Sequence, residues 1–189
     1  MKNLAVFFPG IGYTNEKPLL YYTKKILLQK GFEIITLNYS GFPEKILGDN
    51  KKIKLCEEIA FEQSEICLAS DDFSVFDNIL FVSKSIGTVA AARFADEKKL
   101  KVNHIFFTPL EDSFKYAQKN VLALHGTEDP WFENEKFKKI CLEQKVRYEI
   151  FEGANHSLEC PDIYKSIEIL KAALKKVESF VDEIMNTAD

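Results

Sequence analysis

A chain of 189 residues, 46% apolar and 13% aromatic, has the length and composition of a globular domain with a substantial core. Its formal net charge of −4 and pI near 5.5, with lysines and glutamates interspersed, exclude a general electrostatic affinity for nucleic acid or anionic membranes. The four cysteines, Cys56, Cys67, Cys141 and Cys160, form no C-x-x-C pair and no metal-like spacing; they read as free thiols in a reducing compartment, and neither metal nor cofactor is expected.

Leu4–Phe8 is a short continuous apolar run and reads as a buried strand. It is too short for a signal-peptide core, and no stretch approaches the ~20 apolar residues of a membrane span, so a cytoplasmic protein is expected. Pro9 to Asn15 is a glycine-punctuated loop. A helix is predicted from Pro18 to Lys30, with Leu19, Tyr22, Ile26 and Leu27 on one face and Gly31 as its stop. Phe32 to Tyr39 reads as a strand, 44–50 as irregular, and Lys51 to Ala69 as a helix presenting Leu55, Ile59 and Ile66.

A third strand, Asn78–Val82, runs into Ser83-Lys84-Ser85-Ile86-Gly87 and then an alanine-rich helix to about Lys99. Strands at Val102–Phe107, Val121–His125 and Lys145–Phe151 follow, separated by a turn from Glu111 to Gln118 and a helix from Phe132 to Gln144. The last helix carries Ile163, Ile167, Leu170, Leu174, Val177, Val181 and Ile184 in steps of four and three. Strand and helix thus alternate six times in one domain, 1–189. That order predicts a three-layer α/β/α fold with a mostly parallel sheet, its ligand beyond the carboxyl ends of the strands.

So abrupt a passage from strand to helix pushes Ser85 outward, the geometry of a nucleophile elbow. The usual Gly-x-Ser-x-Gly has Ser83 in place of its first glycine here, a residue still small enough for a tight turn. A serine hydroxyl needs a base, and the base an orienting carboxylate. Of the three histidines, His104 sits at the amino end of its strand and reads as structural. His125 adjoins a candidate acid and suits a supporting role. His156, in the loop after the last strand, is best placed to reach Ser85. For the acid, Asp129 is preferred over its neighbour Glu128, because Pro130 fixes the turn after it.

Ser85 in Ser-Lys-Ser-Ile-Gly, Asp129 in His-Gly-Thr-Glu-Asp-Pro-Trp and His156 in Gly-Ala-Asn-His-Ser therefore occur in the order serine, acid, histidine, each after a strand. In this the chain resembles the α/β-hydrolase fold from Leu4 to about Ile184. The resemblance implies a serine hydrolase working through an acyl-enzyme, with an oxyanion hole from the backbone N–H groups of Ile86 and Ile11. The family often begins the latter loop with His-Gly; Pro9-Gly10 stands there instead, leaving Gly12 and Tyr13 as other donors. A dinucleotide reading of Gly10-Ile11-Gly12 fails, since the third glycine of that fingerprint falls on Asn15.

Only about a dozen residues separate Phe107 from Val121, too few for a lid, so an open cleft is expected. Its walls are assigned to Gly12, Tyr13 and Trp131, with Tyr39 and Phe42 as further aromatic candidates. Lys84 is expected to point away from the nucleophile and is given no role. The favoured function is hydrolysis of an acyl bond of carboxylic-ester type in a small molecule, with no nucleic-acid or membrane partner. The alternative is a non-catalytic hydrolase-like binding module.

Overall fold

The computed structural model describes residues 1–117 and 120–186. The strands are β1 (Asn3–Phe8), β2 (Phe32–Thr36), β3 (Asn78–Lys84), β4 (Asn103–Phe107), β5 (Val121–Gly126) and β6 (Arg147–Phe151). They form one sheet in the order β2-β1-β3-β4-β5-β6, with every pairing parallel. The helices are α1 (Pro18–Gln29), α2 (Asn50–Cys67), α3 (Ile86–Glu97), α4 (Ser113–Tyr116), α5 (Asn134–Glu143) and α6 (Ile163–Asn186). Gln118, the expected end of the 111–118 turn, lies outside the described residues.

Alternation along the strands divides the core between two faces. Ala5, Phe7, Leu80, Val82, Ile105 and Phe107 point to one side, where Leu19, Leu20 and Leu27 of α1 and Ile169, Ala173 and Val177 of α6 cover them. Leu4, Val6, Phe8 and Phe81 point to the other, under α2 and α3, and Phe106 and Ala123 meet α5 there. The predicted three layers are present, without a lid. Among the described residues no helix is long and apolar enough to cross a membrane.

Several predicted faces and ends shift. β2 stops at Thr36 rather than Tyr39, because β1 beside it ends at Phe8, and a single bond from Leu37 N–H to the Phe7 carbonyl is the last link. In α1, Leu20 and Thr23 are buried where Tyr22 was expected, and Tyr22 is exposed. In α2 the buried side is Cys56, Ala60, Phe61 and Ser64, while Leu55 and Ile66 face solvent. Ser64 on that side bonds the Tyr39 hydroxyl, and Phe61 packs against Arg93 of α3, so these partners set the buried side in place of the larger aliphatic stripe. In α6, Ile163 and Ile167 are exposed, lining a surface pocket with Pro18 and Leu158; burial begins with Ser166 and Ile169.

The chain leaves β1 toward β2 on one side and later returns as β3 on the other. The loops after β1 and β3 therefore diverge above adjacent strands, and a crevice opens between them. Ser85 stands at that point.

Candidate active site

Ser85 follows β3 and caps α3 with φ 55° and ψ −122°, a conformation side chains rarely adopt. Strain of this sort, on the order of 1–3 kcal/mol, persists only where the surroundings enforce it. Here they do. Ser85 N–H donates to the Phe107 carbonyl at 3.1 Å, and the Ser85 carbonyl accepts from both the N–H and the hydroxyl of Thr88, at 2.9 and 2.6 Å. Thr88 Oγ1 in turn takes hydrogen bonds from the Ser113 hydroxyl at 2.6 Å and Leu110 N–H at 3.3 Å. Ser83 is an ordinary strand residue, fully buried, whose hydroxyl donates to the Ile105 carbonyl at 3.2 Å. Its backbone lacks the positive φ that would require glycine.

Two other glycines let the crossing chains approach. A Cβ on Gly87 would lie 2.3 Å from the Phe8 carbonyl oxygen, and one on Gly126 would lie 2.2 Å from that of Ala154. The first contact presses the elbow against the end of β1. The second presses the end of β5 against the loop after β6.

That second contact brings acid and histidine together. Glu128 N–H donates to the Ala154 carbonyl at 2.9 Å, and Gly153 N–H donates to Thr127 Oγ1 at 2.8 Å. Asp129 is buried and Glu128 exposed, as the turn geometry favoured. The Asp129 carboxylate accepts from Trp131 N–H at 2.9 Å and lies 2.8 and 2.9 Å from His156 Nδ1. His156 Nε2 is 2.7 Å from Ser85 Oγ. A carboxylate only accepts, so Nδ1 carries the proton and Nε2 is left to accept from the serine hydroxyl. The Thr108 hydroxyl donates to the His156 carbonyl at 2.9 Å and fixes the loop below the ring.

Burial, and then the charge of Lys84, hold the His156 pKa below the usual histidine range, against the pull of Asp129. The imidazole is thus a free base at neutral pH. His125 is buried, stacks on Phe137 at 4.5 Å and pairs through Nε2 with Asn134 Oδ1 at 2.9 Å. Its Nδ1 is 3.7 Å from Asp129, outside hydrogen-bonding distance, so it makes no bond to the carboxylate. The His104 ring nitrogens have no hydrogen-bond partner among the described residues; Phe81 and Phe106 surround the ring and burial lowers its pKa to about 3, which makes it a core residue.

A cleft of about 470 Å³ opens over Ser85. Of the residues assigned to its walls, Trp131 lines it, together with Ile11, Ile86 and His156. Gly12 and Tyr13 do not: the Tyr13 hydroxyl accepts from Leu19 N–H at 3.1 Å, which turns the ring inward. Tyr39 and Phe42 are also drawn into packing, with the Tyr39 hydroxyl 2.8 Å from Ser64 Oγ. Their place is taken by Ile46, Leu47, Ile53, Cys56 and Leu110. Three of these, Ile46, Leu47 and Leu110, lie in the segments that follow β2 and β4, at the carboxyl edge where a parallel sheet places its ligand. Ile86 N–H belongs to the first turn of α3, whose N–H groups have no partner within the helix. Lys84 is buried behind the site and does not line the cleft.

The sequence model of the alpha/beta hydrolase family matches residues 25–159, and the chain belongs to that family. Its membership supports hydrolase activity in general. Among solved structures it is similar to the Pyrococcus furiosus esterase Pf2001, at 12% identity and TM-score 0.68 over 96% of this chain and 83% of that one. It is also similar to a Xanthomonas campestris serine hydrolase without a lid, at 12% identity and TM-score 0.59 over 94% and 82% of the chains. A third is Est1E of Butyrivibrio proteoclasticus, solved with ferulic acid bound, at 14% identity and TM-score 0.67 over 96% and 88%. At such identities the likeness is one of fold. No curated protein matches the sequence.

Proposed function

We propose that this protein is a serine hydrolase that cleaves carboxylic-ester-type acyl bonds in small molecules through a Ser85-His156-Asp129 triad. The observation that carries the reading is the unbroken path of hydrogen bonds from Asp129 through His156 to Ser85, ending at an open, mainly apolar cleft. Ser85 Oγ attacks the substrate carbonyl while its proton passes to His156 Nε2, and Asp129 stabilises the imidazolium. Backbone N–H groups of Ile86 and Ile11 receive the oxyanion, a contribution on the order of 10²–10³ in rate for each donor. Collapse of the tetrahedral adduct breaks the ester C–O bond, and the leaving alkoxide takes the proton from His156. Water, deprotonated by the same imidazole, then releases the acid and restores Ser85.

The walls formed by Ile46, Ile53, Leu110 and Trp131 favour an apolar acyl group. Residues 1–189 act in this reading as a single cytoplasmic domain, in keeping with the four free cysteines. A fluorophosphonate probe tests the assignment. Wild type should be labelled at Ser85, Ser85→Ala should lose all labelling and His156→Ala most of it. A series of p-nitrophenyl esters would then define chain-length preference. A wild type unlabelled at neutral pH would remove the hydrolase reading and leave the binding-module alternative.

A further inference from the structure

Lys84 is the elbow residue whose chemistry the reaction above leaves unused. It ends β3, one position before Ser85, and is only 1% exposed. Among the described residues it makes no ion pair within 4.0 Å. Its ammonium instead lies 5.0 Å from the centre of the Tyr13 ring, and its Cγ lies 3.4 Å from where a Gly10 Cβ would stand. Gly10 and Tyr13 close a turn on each other, Gly10 N–H donating to the Tyr13 carbonyl at 3.1 Å and Tyr13 N–H to that of Gly10 at 3.3 Å. Ile11 and Gly12 form its tip. Lys84 therefore supports both ends of the turn that carries the second oxyanion donor.

Stability alone does not account for a lysine here. The attraction of an ammonium to an aromatic face is smaller than the penalty for removing that ammonium from water without an ion pair. A methionine would fill the same channel without the penalty. The charge is what distinguishes lysine, and it acts on groups of the site from behind the cleft. Asp129, from the loop after β5, and Glu159, from the loop after β6, favour the protonated amine, while burial opposes it and brings its pKa down to about 7. The same charge acts on His156, where it and His125 disfavour the imidazolium that Asp129 favours. Tyr13, which faces Lys84 from the loop after β1, stays neutral, burial having pushed its pKa up to about 12.

We propose that Lys84 is a positioning residue of the hydrolytic site: its stem and ammonium prop the Gly10–Tyr13 turn that carries the oxyanion donor. This rests on the hydrolytic reading of Ser85, His156 and Asp129. Below its pKa of about 7, Lys84 places a positive charge beneath the oxyanion turn, which also favours the negative charge that develops in the transition state.

Lys84→Met keeps the length and apolar stem and removes the charge. We expect kcat on a p-nitrophenyl ester to fall roughly tenfold or more with KM little altered, since a slightly misplaced donor weakens the transition state more than the ground state. With Lys84 gone, Asp129 is opposed less, the His156 pKa rises, and the acid limb of kcat/KM moves to higher pH. The melting temperature at pH 6 should equal or exceed that of wild type, because the buried charge is gone. A lysine used only for packing predicts the reverse: lower melting temperature, unmoved acid limb. Either that pattern or an unchanged kcat with an unmoved limb overturns the inference. Lys84→Arg, which retains the charge, should leave the acid limb in place; a limb shifted as in Lys84→Met would also count against it. If wild type neither hydrolyses the ester nor takes the probe, the hydrolytic reading itself fails. An active wild type with an unaltered Lys84→Met removes this inference alone.

Discussion

Gly87→Ala adds one carbon at the tightest crossing of the elbow. That Cβ would stand 2.3 Å from the Phe8 carbonyl oxygen, 2.4 Å from that of Pro9 and 2.7 Å from the Phe8 carbonyl carbon, where ordinary contact begins at 3.4 Å. Relief requires a displacement of about 1 Å. The obstructing atoms are backbone, and Phe8 is held in register beside Ser83 of β3, so no side-chain rotation relieves the clash. Overpacking of this kind costs about 1–3 kcal/mol, and alanine returns at most about 1 kcal/mol in helix propensity. For a domain of this size a net loss of 1–2 kcal/mol lowers Tm by roughly 2–8 °C. The larger effect falls on the reaction. The backbone forced away leads directly into the turn bearing Ile11, and parting it from Ser85 by about 1 Å should cost on the order of 10² in kcat. Thermal unfolding and ester hydrolysis measure the two losses. Gly10→Ala provides the graded comparison, because its Cβ would meet Ser85 Cβ at 3.2 Å and the Lys84 carbonyl at 3.3 Å, a far milder conflict. A Gly87→Ala protein with wild-type Tm and kcat, or one less impaired than Gly10→Ala, would refute the reasoning.

Asp129→Asn should keep the fold while lowering kcat on the order of 10⁴, because an amide can donate to His156 Nδ1 and leave Nε2 protonated and unable to accept from Ser85. The rate of fluorophosphonate labelling checks this, and a loss below tenfold would contradict it. Ser83→Ala removes one buried hydrogen bond to the Ile105 carbonyl, so chemical denaturation should register a loss of about 1 kcal/mol while kcat stays near wild type.

The order of strands and helices was legible because each strand is a short apolar run with punctuation at both ends. The residues around Ser85, Asp129 and His156 were legible for a related reason: each follows a strand, and a parallel sheet gathers all such ends along one edge. Hydrophobic faces were less legible. Leu55 and Ile66 are larger than Ala60 and Ser64, yet the bond of Ser64 to Tyr39 and the packing of Phe61 against Arg93 of α3 turn that side inward and the larger aliphatics outward. Tyr13 looked like a pocket wall because its loop borders the site. A single acceptor interaction, from Leu19 N–H to its hydroxyl, decides otherwise. Lys84 was legible only in part. Its place before Ser85 predicts that it points away from the cleft, but nothing in the local sequence signals that it is fully enclosed beneath the Gly10–Tyr13 turn.

The two close glycine contacts explain how so small a chain can hold a strained serine without a lid above it. Four loops must agree in position: those after β1, β3, β5 and β6. Gly87 presses the β3 elbow onto the end of β1, and Gly126 presses the end of β5 onto the loop after β6. Between these two pairs the link is the β4 end, where Phe107 accepts from Ser85 N–H and Thr108 donates its hydroxyl to the His156 carbonyl. Thr108 has φ 42°, so this link, like Ser85, is held in a sparsely populated conformation. Strain at both residues is sustained by strands buried on both faces, which resist displacement far better than surface loops do. The precision of the site thus comes from backbone packed against backbone beneath it, and the cleft above can stay open.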